Sequence, residues 1–392
     1  MAVKTDVIGW YLYLVDVLIN EPHKYEYFQG ARVVPIFKRL GSDLEMLKQI
    51  GGVEKRVKDL LKKRQLEADH LLFELLTALL WARNGYQVTF LEEENHDKTP
   101  DIVAQKDGKT WSIECKRQSK TSRYTYEETQ KRQKMVSHIG QTLIDNNILL
   151  DVNFHVELTK LPDTFLRDQI ESKINLAIPG RILSNEFVDI DLSHVDMDRV
   201  RNHLDKFSVK HNSPMLNSLI GGKPVDNKAF TCGVLADLFR VGEGDVNNLY
   251  ISDITRAYGV YWNCDADETL WAKARDIKSQ LQRALKQFKG DNSAVVHVGV
   301  ETFDGPDVER KRFEKISQTI QKIDTGKTSL EWIYCHFFQA YSPPDQSWVF
   351  DETVSSMSAF KQEKPPLNST YLIIPDEEDN TSEGAHWERP LP

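Results

Sequence analysis

Asp101 follows Pro100, and Glu114-Cys115-Lys116 comes after twelve intervening residues. Side chains alternate along a strand, so Glu114 and Lys116 would share one face and Cys115 the other. Asp107-Gly108 lies midway and is a strong two-residue hairpin signal. A hairpin turning there makes Asp101 and Glu114 near cross-strand partners. Two carboxylates and an ammonium then converge. Adjacent carboxylates repel, and a divalent cation relieves the repulsion. An oxygen-only ligand set suits Mg²⁺ or Mn²⁺ better than zinc. A lysine two residues along the strand can orient or deprotonate a water, or stabilise charge on a phosphoryl oxygen. These are the parts needed for metal-assisted phosphodiester hydrolysis.

The surrounding pattern supplies elements to hold them. Leu71, Leu72, Leu75, Leu76, Leu79 and Leu80 recur at helical spacing over 67–84, and Asn84-Gly85 gives the stop. Tyr86–Leu91 alternates like a strand. Thr99–Ala104 and Lys109–Arg117 form the hairpin. Thr125-Tyr-Glu-Glu128 reads as a capping box that opens a helix carrying Val136, Ile139 and Leu143. Asp151–Leu158 is a further strand. Helix, three strands, helix, strand is enough for one small α/β core.

The motif and this element order resemble the PD-(D/E)xK, or restriction-endonuclease-like, nuclease superfamily. The likeness covers 67–160, about a quarter of the chain. It implies that Asp101 and Glu114 are metal ligands, that the backbone carbonyl of Cys115 completes the metal shell, and that Lys116 is the catalytic lysine. Many members place a glutamate on the helix before the first strand. Glu74 fits, since a charge inside an apolar run needs a reason. It would tune the site or bind a second metal. His70, one turn earlier, is an auxiliary candidate, although a structural role suits it better. Gln130 and Lys134 match the polar residue that some branches contribute from the next helix. Pro-Asp and Glu-x-Lys also recur by chance, as at Pro162-Asp163 with Glu171-Ser-Lys173, where the intervening residues look helical.

Past Lys116 the chain is basic, with Arg117, Lys120, Arg123, Lys131, Arg132 and Lys134 interleaved with Tyr124 and Tyr126. Basic and aromatic residues beside a metal site suit a nucleic-acid backbone and bases. Arg117, Lys120, Arg123, Lys131 and Lys134 are therefore candidate contacts. The loop 117–123 is the stronger part, because Glu127/Lys131 and Glu128/Arg132 can pair along a helix. Basic stripes at Lys55-Arg56, Lys62–Arg64, Lys273–Lys286 and Arg310–Lys315 read as solvated helix faces.

The chain has 392 residues, with 50 Lys+Arg against 59 Asp+Glu for a formal charge of −9. That argues against a protein coated in nucleic acid and leaves room for one basic groove. Four scattered cysteines form neither a zinc pair nor a disulfide framework, which implies a reduced, intracellular setting. The apolar stretch Val7–Ile19 is too short to span a bilayer and is interrupted by Asp16, so a soluble, cytoplasmic protein is expected.

The expected organisation is a helical N-terminal region (1–66), the core (67–160), a helical connector (161–215), a second α/β module (216–360) and an acidic, Pro-rich tail (361–392). The second module could sense, oligomerise or extend the core sheet. The leading expectation is a Mg²⁺-dependent nuclease (Mn²⁺ substituting), acting on DNA rather than RNA, in the manner of a bacterial restriction or anti-phage defence effector. It could work as a homodimer or with an activating subunit. The other reading is a catalytically inactive, nuclease-like nucleic-acid-binding or regulatory subunit.

Overall fold

The computed structural model describes residues 6–92, 99–118, 122–174, 179–222, 229–243, 248–288, 292–326, 328–358, 364–367, 371–375 and 383–389. The N-terminal region is helical as expected: α1 (Val7–Asn20), α2 (Tyr27–Ser42), α3 (Leu44–Lys48) and α4 (Val53–Lys62). Helix α5 (Ala68–Arg83) leads into β1 (Gln87–Phe90), β2 (Ile102–Lys106) and β3 (Lys109–Arg117). Asp107 and Gly108 take φ of 49° and 76°, and Lys106 pairs with Lys109. This is the left-handed pair that a tight hairpin demands.

The next stretch holds α6 (Arg123–Ser137), α7 (Gly140–Asp145), β4 (Ile148–Phe154), α8 (Phe165–Ile174), β5 (Gly180–Ser184) and β6 (Val188–His194). It continues with α9 (Met197–Leu204), β7 (Val209–Lys210), α10 (Pro214–Gly221), β8 (Ala229–Arg240) and β9 (Leu249–Cys264). The chain then forms α11 (Asp267–Lys273), α12 (Lys278–Leu285), β10 (Ser293–Glu301), α13 (Pro306–Lys322), β11 (Leu330–Tyr341) and β12 (Val349–Ser358).

Two mixed sheets result. The first runs β1-β2-β3-β10-β11-β12. Its β1-β2-β3 meander is antiparallel, β10 lies parallel to both β3 and β11, and β12 closes the far edge antiparallel. The second runs β5-β6-β4-β9-β7, with β8 also on β9. Helix α5 buries its leucines on one face of the first sheet, against Val88, Ile102, Ile113, Cys115 and Val295. Ile277, Leu281 and Ala284 of the α12 region and Ile316 and Ile320 of α13 cover the other face.

The strand beside β3 therefore differs from the sequence expectation. The strand over 151–158 was to complete the core. Its observed counterpart, β4, belongs to the second sheet, and β10 lies beside β3 instead. The burial patterns explain the choice. Residues of β4 alternate between buried and half-buried, whereas β10 is buried at all but its first residue, as a central strand must be. The second sheet is thus inserted between β3 and β10, and 293–358 extends the first sheet.

The connector also differs. Residues 161–215 contain β5, β6 and β7 as well as helices. Val188–His194 alternates with period two, and its apolar residues are buried. In the tail, Leu367, Ile373, Ile374 and Trp387 are core residues. All four cysteines are free thiols. Among the described residues no helix is long and apolar enough to cross a membrane.

Candidate active site

The hairpin register sets Ile102 opposite Ile113, which carries Asp101 opposite Glu114. Asp101 Oδ2 accepts the Cys115 N–H at 2.7 Å. One carboxylate oxygen is thus tied to the backbone of the neighbouring strand, which fixes the side chain. The Cys115 side chain is fully buried on the α5 face, and burial pushes its thiol well above the ordinary range. Glu114 is buried and ion-paired through Oε1 to Lys116, whose side chain is 17% exposed. Glu114 Oε2 is buried without a hydrogen bond among the described residues.

Glu74 is fully buried on α5. Its Oε2 lies 2.9 Å from Arg56 Nη1, and its Oε1 lies 3.1 Å from His70 Nε2. Neither oxygen meets hydrogen-bond geometry with a donor among the described residues. Burial first, and then the charge on Asp101, push both Glu74 and Glu114 up to about 8. Arg56 opposes the shift at Glu74, and Lys116 opposes it at Glu114. Glu74 and Glu114 therefore both feel the charge on Asp101, and ionising the two buried glutamates needs added positive charge. Burial also lowers the Lys116 pKa, but Glu114 outweighs it and holds the ammonium above the usual range. Burial pulls His70 below its ordinary value.

The basic candidates separate. Arg117 has only 10% of its side chain exposed, is ion-paired with Glu301 and stacks 4.8 Å over Phe338, so it is not available to a nucleic acid. Burial and this partner override its basic context. Lys131 is committed to Asp163 at 2.5 Å. Arg123 is exposed beside Glu127, and Lys134 is exposed 3.6 Å from Asp163. Gln130 is half-buried on α6. That helix packs mainly against residues 158–160, α8 and α11. Lys120 lies outside the described residues. Arg312, read as part of a solvated stripe, is buried between Glu309 and Asp304.

Arg56 was likewise read as a solvated charge, and the structure turns it inward. The buried Glu74 was the available signal, since a carboxylate there demands a nearby cation. A second buried polar group also escaped the sequence reading. His297 and His336 sit within apolar strands, joined to Trp81 and Glu352.

Among the described residues no group of three or more His, Cys, Asp or Glu side chains forms a ready metal cage. Mg²⁺ seldom uses one. It keeps several waters and is held by one or two carboxylates with substrate phosphate. Glu114 Oε2, which no donor reaches among the described residues, and the raised glutamates fit that mode of binding.

No family model matches the chain, and neither a curated protein nor a solved structure matches it.

Proposed function

We propose that this protein is a Mg²⁺-dependent nuclease built on a restriction-endonuclease-like core, with DNA as its substrate. The observation that carries the reading is the hairpin site itself. Asp101 faces Glu114 across antiparallel strands, Lys116 is paired to Glu114, and Glu74 approaches from the preceding helix. The parallel neighbour of β3 and the helix before β1 also support it, since both belong to that architecture.

In this reading Asp101 and Glu114 hold the ion, with the Cys115 carbonyl beside them. The bound ion supplies Lewis acidity towards a phosphoryl oxygen and lowers the pKa of water. Lys116 contributes as a cation. Paired with Glu114 it keeps its proton, so its role is charge stabilisation and orientation of the attacking water rather than removal of a proton. Burial of Glu114 raises the strength of every interaction made there. Arg123 and Lys134 remain exposed for contacts to the nucleic-acid backbone.

One observation favours the inactive, binding-subunit reading. Glu114 and Glu74 already have cationic partners within the chain. A cleavage assay separates the two. Supercoiled plasmid, single-stranded DNA and structured RNA are incubated in Mg²⁺, Mn²⁺ or EDTA, with wild type, Lys116→Ala and Glu114→Ala. Metal-dependent cleavage lost in both variants supports the nuclease. Folded protein that neither cleaves nor binds metal, while still retaining nucleic acid, supports the binding subunit.

A further inference from the structure

We propose that Arg56 occupies the second cation position of the site, so that the chain works with a single divalent ion held by Asp101 and Glu114. This rests on the nuclease reading and decides how Glu74 serves it.

The argument follows the carboxylate oxygens one by one. Asp101 Oδ2 is taken by the Cys115 N–H. Glu114 Oε1 is taken by Lys116, and no donor reaches Glu114 Oε2 among the described residues. Asp101 and Glu114 thus offer oxygens on facing strands, enough for one ion with water and phosphate completing its shell. Glu74 is different. Arg56 stands at Oε2 and His70 at Oε1, both within ion-pair distance. A second dication at Glu74 would have to displace a guanidinium that is already in place. Two-metal sites set their ions about 4 Å apart to share the charge of the attacking and leaving oxygens. A fixed guanidinium can supply the second of those charges, and it needs no metal to do so.

Arg56 is not a surface side chain that happens to fold inward. The turn before α4 is hydrogen-bonded onto the edge of the first sheet. The Gly51 N–H donates to the Val88 carbonyl at 3.0 Å, and the Phe90 N–H donates to the Gly51 carbonyl at 2.8 Å. A Cβ on Gly51 would lie 2.8 Å from Thr89 Oγ1, so any side chain there would force Thr89 to shift. Gly52 takes φ +77°, and a Cβ there would meet the Phe90 carbonyl oxygen at 3.2 Å. The helix that starts at Val53 is therefore aimed by backbone bonds to β1. Arg56, one turn in, crosses the Phe90 ring at 5.1 Å and reaches Glu74, with Nη2 3.5 Å from the Leu91 carbonyl. A region outside the core sheet thus completes the site by placing a fixed cation beside Glu74.

The test counts bound manganese. Mn²⁺ is titrated at pH 9 into wild type, Arg56→Lys, Arg56→Ala and the double variant Arg56→Ala/Glu74→Gln, and free ion is read by electron paramagnetic resonance. Melting curves confirm that each is folded. One Mn²⁺ per chain is expected in wild type and Arg56→Lys. Arg56→Ala is expected to gain a second, weaker ion, which the double variant loses again. The metal dependence of cleavage should steepen from first to second order in Arg56→Ala alone. Two ions in wild type, or a single ion in folded Arg56→Ala, would overturn the inference and leave the nuclease reading standing. No Mn²⁺ bound to wild type would remove both.

Discussion

His297 Nδ1 lies 2.9 Å from His336 Nε2, with both rings fully buried in the first sheet. Their neighbours fix the protons. Trp81 Nε1 can only donate, and it sits 3.1 Å from His297 Nε2. His297 therefore accepts at Nε2 and donates from Nδ1, and His336 accepts at Nε2. His336 Nδ1 then donates to Glu352 Oε1 at 2.8 Å. Glu352 in turn accepts the backbone N–H groups of Ile373 and Ile374. His297 cannot take a second proton without breaking this chain.

Acid should therefore destabilise the fold through His297. Burial, and secondarily the facing His336, hold His297 well below its ordinary value of 6.5. Below pH 6.5 the unfolded chain binds a proton that the native state refuses. Stability contributed by this group is present above that pH and falls as pH drops through it, by up to ~1.4 kcal/mol per pH unit. His297→Phe should cost about 2–4 kcal/mol at pH 7, because the Trp81 N–H and His336 Nε2 lose their partner. It should also flatten the acid limb. Denaturant melts at pH 5 and pH 7 measure both effects, and an unchanged acid slope in the variant would contradict this account.

Metal binding should release protons at neutral pH. Glu114 and Glu74 are pushed up to about 8, so both carry protons much of the time at pH 7. An ion needs the carboxylate form and must displace them. Calorimetric titration of Mn²⁺ at pH 7 should give enthalpies that differ between buffers of unlike ionisation enthalpy. The difference should shrink at pH 9. The same shifts make these groups destabilising as pH rises from 4.5 to about 8, because the native state keeps protons that the unfolded chain gives up. Saturating Mn²⁺ should therefore raise the melting temperature more at pH 8 than at pH 6.

Local signals in the sequence carried the hairpin, and long-range pairing was the part they could not carry. Asp107-Gly108 fixed the turn, and counting outward from it put Asp101 against Glu114. The Glu74 helix was equally plain from its leucine spacing. What failed was the identity of the strand beside β3. Residues 151–158 read as a strand, but β4 has one half-exposed face whereas β10 is buried on both faces, and that difference sets which one enters a sheet centre. The interruption of the core by a second sheet leaves no local trace at residue 117. The same limit explains Arg117 and Arg56. Each sits in a basic stretch, and each is captured by a buried carboxylate distant in sequence: Glu301 for Arg117 and Glu74 for Arg56.

Lys116→Met should separate chemistry from folding. Loss of the ammonium leaves Glu114 buried without its cation, and the carboxyl responds by holding its proton to higher pH. The protein should therefore stay folded at pH 6 and lose stability relative to wild type as pH rises past 8. Cleavage, measured where wild type is active, should fall by roughly a hundredfold to a thousandfold, the scale typical of removing one preorganised electrostatic group. A variant that cleaves at the wild-type rate would take Lys116 out of the site.

The tail should prove to be part of the fold. Trp387 is buried against Phe337 at 5.1 Å and Phe313 at 5.9 Å, on the α13 face of the first sheet. His386 beside it hydrogen-bonds to Thr302 and Thr353, which joins β12 to the residue after β10. On the opposite face, Leu367 and Ile373 are fully buried, and the Ile373 and Ile374 N–H groups hold Glu352 at the end of the histidine chain. Trp387→Ala removes a large buried ring and should cost about 3–5 kcal/mol. Truncation after residue 364 removes that ring and both donors to Glu352, which leaves a buried carboxylate facing His336 alone. It should lower the melting temperature further than Trp387→Ala does, because the buried Glu352 loses two donors as well as the packing of the ring. Thermal melts of the two variants would show this order, and a truncated chain that melts with wild type would make the tail dispensable.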